Sequence, residues 1–397
     1  MSVAADRMTA ADEGLILDAI AKWLEQKVKP VAMDLEHDDV YPEELVEDMK
    51  ELGLFGALVD PGWGGLGLSA TTYAKIVARI SEEWMSLTGI FNSHLMMALL
   101  VQRFGTDEQK AYWLPKFASG ELRGALGLTE PDAGTDLQGI RTTARRDGDD
   151  YVVNGTKTWI SNAIEGHCVA LLVKTDLNAE PRYKGMSMLI VPKIDPETRA
   201  PLPGVRNGRK LEKLGYKGID SGEFVFDDYR CNAARSLVGG AEGQGFFMAT
   251  GGLEIGRINV AARAVGVSRR ALRESVAYSQ VRRTMGKPIC EHQAIQLKLG
   301  EMATKARAAE LLVEDAARLY DTGASVEMEA GMAKYFASET AAELAFEAMR
   351  IHGAYRYSKE YPIERLYRDA PLMCIGEGTN EMQLIIIAKQ LVKRNPV

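Results

Sequence analysis

Residues 147–163 read DGDDYVVNGTKTWISNA. Asn154-Gly155 sits between two runs rich in β-formers, a short-range hairpin signature, because both residues tolerate positive φ. Working outward, HCVALLVKT (167–175), GMSMLIVPK (185–193) and GEFVFDDYR (222–230) are further strand candidates punctuated by Gly, Pro and Asp. From about Gly124 to Arg230 the chain therefore reads as a small all-β unit, a barrel or a sandwich.

On both sides the period is helical. Leu15, Leu17, Ile20, Trp23, Leu24 and Val28 recur at helical spacing, with Pro30 behind them. ISEEWMSLTGIFNSHLMMALLVQ (80–102) suits a buried helix, and Thr106 with Gln109 forms a capping-box pattern ahead of the next one. Beyond Gly239, segments 255–283, 292–320 and 329–353 carry apolar stripes, the first ended by Gly286 and Pro288. A last helix runs from near Thr379 to Lys393 and Arg394. Several long striped helices together make a bundle. The expected class is α+β, mostly α: helices, a small β-domain, then a helical bundle.

Apolar residues form 46% and charged ones 26% of the 397, the balance of a soluble globular chain. A net charge of −7 argues against nucleic acid as the main partner, while leaving room for a local basic pocket around a phosphorylated ligand. No stretch approaches the roughly 18–20 continuous apolar residues of a membrane span. Arg7 is the one basic residue of the first twenty, against several acids, which fits neither a secretory signal nor a transit peptide. Cys168, Cys231, Cys290 and Cys374 are dispersed, with no CxxC pair and no histidine at metal spacing. They read as reduced thiols of a cytoplasmic protein without a metal site.

GWGGLG (62–67) fits the dinucleotide pattern GxGxxG, but that pattern needs a strand before it and a helix after it within a parallel unit. Here Pro61 precedes it and the upstream segment is amphipathic helix, so it reads as a tight loop between helices.

Four stretches carry chemistry. LGLTEPDAGTD (126–136) offers hydroxyls and freely oriented main-chain N–H groups to a polar or phosphorylated ligand. KTWISN (157–162) sets an indole beside a hydroxyl, suited to stacking on a ring and bonding its edge. VRRTMGKP (281–288) clusters Arg282, Arg283 and Lys287, donors that a pyrophosphate needs. CIGEGTNEMQ (374–383) holds one carboxylate, Glu377, between two glycines and two apolar runs. Taken singly, each also reads as a turn, a core aromatic or solvated charge.

In this order and spacing the four resemble the acyl-CoA dehydrogenase family along essentially the whole chain. The resemblance implies an N-terminal helical domain over 1–122, a middle β-barrel over 123–233 and a C-terminal four-helix bundle over 234–397. It implies FAD between barrel and bundle, in a homotetramer. Leu126, Leu128, Thr129, Gly134 and Thr135 would border the flavin, and Trp159, Ile160 and Ser161 would pack on and hydrogen-bond its rings. Arg282, Thr284 and Gln293 would reach the adenine-diphosphate half from a neighbouring subunit. Arg350, Gly353 and Ala354 would approach that half as well, and Thr379 with Glu381 would complete the cofactor site. Glu254 and Arg257 match positions holding the coenzyme A arm, with Thr135 and Gly378 beside the acyl-CoA. Glu377 is the implied base, taking the α-proton of the thioester while flavin N5 takes the β-hydride, to give a trans-2-enoyl-CoA. Its main-chain N–H and a ribityl hydroxyl would bind the thioester oxygen. Some branches carry the base just before the arginine of GR, where this chain has Gly256. An electron-transfer flavoprotein is the implied acceptor.

Two departures stand out. The family's QxxGGxG is replaced by RIHGAYR (350–356), so Arg350 would supply charge where backbone approach is altered. Gly376 stands where an aromatic residue is usual, which widens the pocket for a branched, cyclic or otherwise bulky acyl group. Between Arg79 and Arg103 there is no Lys or Arg, which points to an uncharged acyl chain; His94, within that stretch, reads as a satisfied core residue. Competing readings are an oxygen-using flavoenzyme of the same fold, whose nitroalkane oxidase and monooxygenase branches lack the EGT glutamate, and a flavin or acyl-CoA binding protein without turnover.

Overall fold

A computed structural model describes residues 10–251 and 254–396. The N-terminal helices are α1 (Ala10–Trp23), α2 (Ala32–His37), α3 (Glu43–Glu51), α4 (Ala70–Phe104) and α5 (Asp107–Ala118). Thr106 and Gln109 make the capping box in full, each side chain bonding the other's main-chain N–H. GWGGLG lies in the connection between α3 and α4, which carries two 3-10 turns, at Leu54–Gly56 and Pro61–Trp63. The loop reading therefore describes it.

α4 is long and apolar enough to cross a bilayer, but 89% of that stretch is buried inside the protein, which makes it a core helix. It is interrupted at Trp84 (φ −157°, ψ 103°). There the indole packs against the backbone of Gly218, where a Cβ would come within 2.2 Å of the ring. His94 is a core residue: Gly124 N–H donates to Nδ1 (3.2 Å), so Nε2–H donates to Phe117 O (2.9 Å).

The middle strands are β1 (Gly124–Gly127), β2 (Thr143–Asp147), β3 (Asp150–Ser161), β4 (Cys168–Lys174), β5 (Met186–Pro192), β6 (Val205–Lys210) and β7 (Ser221–Asn232). They form one curled sheet in the order β1-β4-β2-β3-β7-β6, with β5 against β4. The hairpin expected at Asn154-Gly155 is not there: both residues lie within β3, and the turn is made earlier, by Gly148 and Asp149 between Asp147 and Asp150. Asn154 and Asp228 exchange two bonds of 2.9 Å across β3 and β7. Gly155 (φ +144°) sits where a Cβ would meet Thr142 Cα at 2.7 Å. The dipeptide thus marks a bulge and a close backbone approach, the other positional meaning of Gly in a strand.

Two short helices, α6 (Ala233–Ser236) and α7 (Gly245–Gly251), lead to α8 (Glu254–Val281). A small hairpin, β8 (Arg283–Thr284) with β9 (Lys287–Pro288), turns the chain into α9 (Gln293–Tyr320). α10 (Glu327–His352), α11 (Ile363–Ile375) and α12 (Asn380–Arg394) complete the bundle. α11 escapes a reading by periodicity because Pro362 and Pro371 punctuate it; Pro362 stands at the N-cap, where its missing N–H costs nothing. One hydrophobic core runs through the N-terminal helices and the bundle, and a second fills the sheet. α8 is shared: it packs on α4, α9, α10 and α11.

Candidate active site

Glu377 stands on the short link between α11 and α12, at φ +55°, a left-handed conformation that side chains other than Gly rarely adopt. Gly376 before it and Gly378 (φ +84°) after it give the link its turn. Its carboxylate lies over α8: a Cβ built on Gly256 would be 3.0 Å from Glu377 Oε2 and 3.3 Å from Met96 Sδ. The two positions at which the resemblance would place a base thus converge in space. Gly256 leaves the room that the Glu377 carboxylate takes up.

Burial pushes the Glu377 carboxyl above its ordinary range, against the opposing pull of Arg263, Arg257 and Lys334. Arg263 is 5% exposed and donates to Tyr216 Oη (2.9 Å) and Thr88 O (3.4 Å). Tyr73 bonds Asn92 Oδ1 (3.0 Å) and accepts from Asn259 Nδ2 (2.8 Å). A polar wall therefore runs between α4 and α8 below the carboxylate, which a sequence reading of 79–103 alone did not anticipate.

The loop Leu126–Asp136 is fastened to β3. Thr158 N–H donates to Thr129 O (3.0 Å), and buried Lys157 donates to Leu128 O (2.9 Å) and Glu130 Oε1 (2.8 Å). Glu130 also accepts from Arg141 N–H (2.6 Å), Thr142 N–H (3.0 Å) and Thr142 Oγ1 (2.6 Å). Burial alone would raise its pKa; the Lys157 ammonium and these bonds outweigh that and hold it below the ordinary range. Lys157 and Glu130 carry a bracing role that the sequence motifs do not assign to them. Their signal was two opposite charges inside the quoted motifs.

Leu126, Leu128 and Thr129 are partly exposed at this loop, and Gly134 and Thr135 are exposed. Trp159 occupies a bulge in β3 at φ +59°, and its indole is 61% exposed. Ser161 is partly exposed beside it, whereas the Ile160 side chain is buried in the sheet core.

Arg282, Thr284, Gly353 and Ala354 line one cavity of about 460 Å3 at the end of the bundle, together with Tyr278 and His352. His352 was not foreseen. Its Nδ1–H donates to Ala348 O (2.8 Å), it stacks on Tyr278 at 4.3 Å, and its buried Nε2 has no partner. Gln293 opens α9 as an exposed residue outside the cavity lining. Arg350 is not brought to the cavity either: its guanidinium pairs with Glu347 at 2.7 Å and lies over the Phe346 ring.

Thr379 caps α12, its Oγ1 accepting from Met382 N–H (3.4 Å), and Glu381 is exposed in the first turn. Glu254 is 8% exposed and spends its carboxylate on Val326 N–H (3.2 Å) and Ser325 Oγ (3.4 Å), at the start of α10. Arg257 keeps a buried Nη1 without a partner. The four cysteines are free thiols. Among the described residues Glu36, His37 and Glu364 cluster as metal ligands would, but both carboxylates are taken up by Arg368 (2.5 and 2.7 Å).

Three family models match in succession: the acyl-CoA dehydrogenase N-terminal domain over residues 10–121, middle domain over 125–229 and C-terminal domain over 243–392. The chain is 37% identical to the 3-(aryl)acrylate reductase of Clostridium sporogenes, over 96% of this chain and 98% of that one. It is 38% identical to the mitochondrial short-chain specific acyl-CoA dehydrogenase of Bos taurus, over 94% of this chain and 88% of that one. The crystal structure of an acyl-CoA dehydrogenase from Geobacillus kaustophilus superposes with a TM-score of 0.90 at 36% identity, covering 98% of this chain and all of that one.

Proposed function

The chain belongs to the acyl-CoA dehydrogenase family of FAD-dependent oxidoreductases acting on acyl-CoA, and on that premise we propose that it removes hydrogen from Cα and Cβ of an acyl-CoA thioester, with Glu377 as the base. The observation that carries this is the seating of the Glu377 carboxylate over Gly256, desolvated and raised in pKa, where a weak carbon acid needs it.

The chain's own residues suit the cofactor. An exposed indole in a strand bulge presents a stacking face, and the end-of-bundle cavity offers Arg282 and Thr284 to a diphosphate. Trp159, Ser161 and the 126–135 loop would hold the ring system, with Thr379 and Glu381 at its far edge. FAD, when bound, supplies the acceptor for the β-hydride. Glu377 takes the α-proton at its carboxylate oxygen. Its main-chain N–H bonds the thioester oxygen and stabilises developing negative charge. Arg257 faces the coenzyme A arm.

The acyl group we assign is uncharged and bulky. Gly376 adds no side chain beside the reacting carbons, and the buried Arg263 is already engaged by Tyr216 and by Thr88 of the 80–102 segment. We assign the enzyme to the cytoplasm, as a homo-oligomer whose partner subunit completes the diphosphate site, with an electron-transfer flavoprotein as acceptor.

Anaerobic bleaching of the bound flavin across a panel of straight, branched and cyclic acyl-CoAs tests the reading. Wild type should bleach with a bulky member and Glu377→Gln with none. Bleaching by the variant at the wild-type rate removes the proposed base, and strict preference for short straight chains removes the proposed substrate class. Turnover with oxygen as fast as with an artificial acceptor would favour an oxidase.

A further inference from the structure

Lys334, on α10, is fully buried, and it makes no ion pair among the described residues. Its ammonium has three protons, and three acceptors meet it: Gly378 O at 2.8 Å, Asn380 Oδ1 at 2.8 Å and Cys374 O at 3.2 Å. These acceptors bracket Glu377. Cys374 O is one of the last carbonyls of α11, which have no partner within their own helix, and Gly378 and Asn380 open α12. Asn380 is held in turn by Ser338 Oγ (3.1 Å) and Glu339 Oε1 (2.6 Å), further along α10.

We propose that Lys334 is the positioning residue of the base: its ammonium ties the end of α11 to the start of α12 and so sets where the Glu377 carboxylate stands over Gly256. The link it spans holds a non-glycine residue in the left-handed region, a conformation that persists only where the surroundings impose it. Gln383 Nε2 adds bonds to Glu377 O and Gly378 O (each 3.1 Å), but from α12 itself, so it cannot anchor that helix to the bundle. Sinking an ammonium beside neutral acceptors is costly, and packing alone would be served by methionine. Burial pulls its pKa down to about 8, while Cys374 of α11, Glu377 of the link, Glu339 of α10 and Glu381 of α12 favour its charge. That charge in turn favours the ionised, basic form of Glu377.

The inference rests on the dehydrogenase reading. Its test is the reductive half-reaction of FAD-loaded Lys334→Met, followed by stopped flow against pH with an acyl-CoA that bleaches the wild type. We expect flavin content and acyl-CoA affinity near wild type, and a reduction rate lowered about tenfold or more, as misplacement of a reacting group by a fraction of an ångström produces. The acid limb of the profile should move to higher pH, since the lysine acts through the glutamate and its charge favours the ionised carboxylate. An unchanged rate and limb overturn the proposal, as does a rate that falls only in step with flavin content. Should Lys334→Met fail to load flavin, Lys334→Arg carries the test. Its planar fork keeps the charge but cannot serve three acceptors grouped round one nitrogen. A lowered rate with the limb in place then supports the proposal, and a wild-type rate overturns it. If wild type bleaches with no acyl-CoA at all, the dehydrogenase reading falls and this one with it.

Discussion

At the scale of single residues, the decisive pair is Glu377 and Gly256. The link supplies the acid, and the facing helix supplies the space. Gly256→Ala would set a Cβ 3.0 Å from the carboxylate oxygen. The end of a glutamate side chain can give way, so the thermal midpoint should hardly move. The flavin-reduction rate should drop, by about tenfold if the carboxylate shifts by a few tenths of an ångström. Comparison of Tm with stopped-flow rate checks both halves. The raised pKa also has a sign that can be read out. Glu377 must be ionised to accept a proton, so the rate falls as pH drops through a value above the ordinary carboxylate range. In the folded state the charged form is disfavoured, so the ionised group costs stability at neutral pH and the cost is relieved as pH falls through that value. Glu377→Gln should therefore raise Tm at pH 7 while abolishing turnover, as calorimetry of the two proteins would show.

Among elements, β3 carries two irregularities with different tasks. At Trp159 two residues oppose one on β7, which turns the indole outward. At Gly155 the strand passes so close to Thr142 that no side chain fits. Gly155→Ala is expected to destabilise the protein by about 1–3 kcal/mol, the usual cost of a strained backbone position, and to do so without changing the rate per bound flavin. Urea unfolding alongside a flavin-normalised assay separates the two. An Asn-Gly pair between strand-formers means a turn in most contexts, because both residues accept positive φ. Here reciprocal bonds between Asn154 and Asp228 tie the pair into the ladder instead, and Asp147 to Asp150 turn the chain.

For the whole molecule, the two groups of residues proposed to hold the cofactor lie on separate domains. Trp159 and the 126–135 loop belong to the sheet domain, whereas every residue lining the 460 Å3 cavity comes from the C-terminal domain, its helices and the β8–β9 hairpin. Large apolar side chains stand exposed on α9 and α12, among them Leu297 (69%) and Val392 (73%). Surface of this kind marks an interface when it is contiguous. We expect native mass spectrometry to show a multimer of this chain. Leu297→Glu should shift it toward smaller species and lower flavin content in parallel, if a partner subunit completes the diphosphate site as proposed. A monomeric wild type with full flavin occupancy would remove the intersubunit assignment.

The amino-acid order by itself determined the alternation of helices, sheet and bundle, because hydrophobic periodicity is a local property and survives without partners. It also singled out Glu377, through two glycines set in an apolar neighbourhood. Other features waited on the tertiary structure. α11 hides behind two prolines, and the turn at Asp147–Asp150 displaced the one expected at Asn154. Arg350, placed beside a cofactor by its motif, pairs with Glu347 on its own helix, and Glu254 braces the start of α10. The Lys157–Glu130 pair, the His352 ring and the Lys334 anchor each join residues tens of positions apart. Such partners are set by how α8, α10 and β3 stack, and no spacing along the chain encodes a contact that only packing creates.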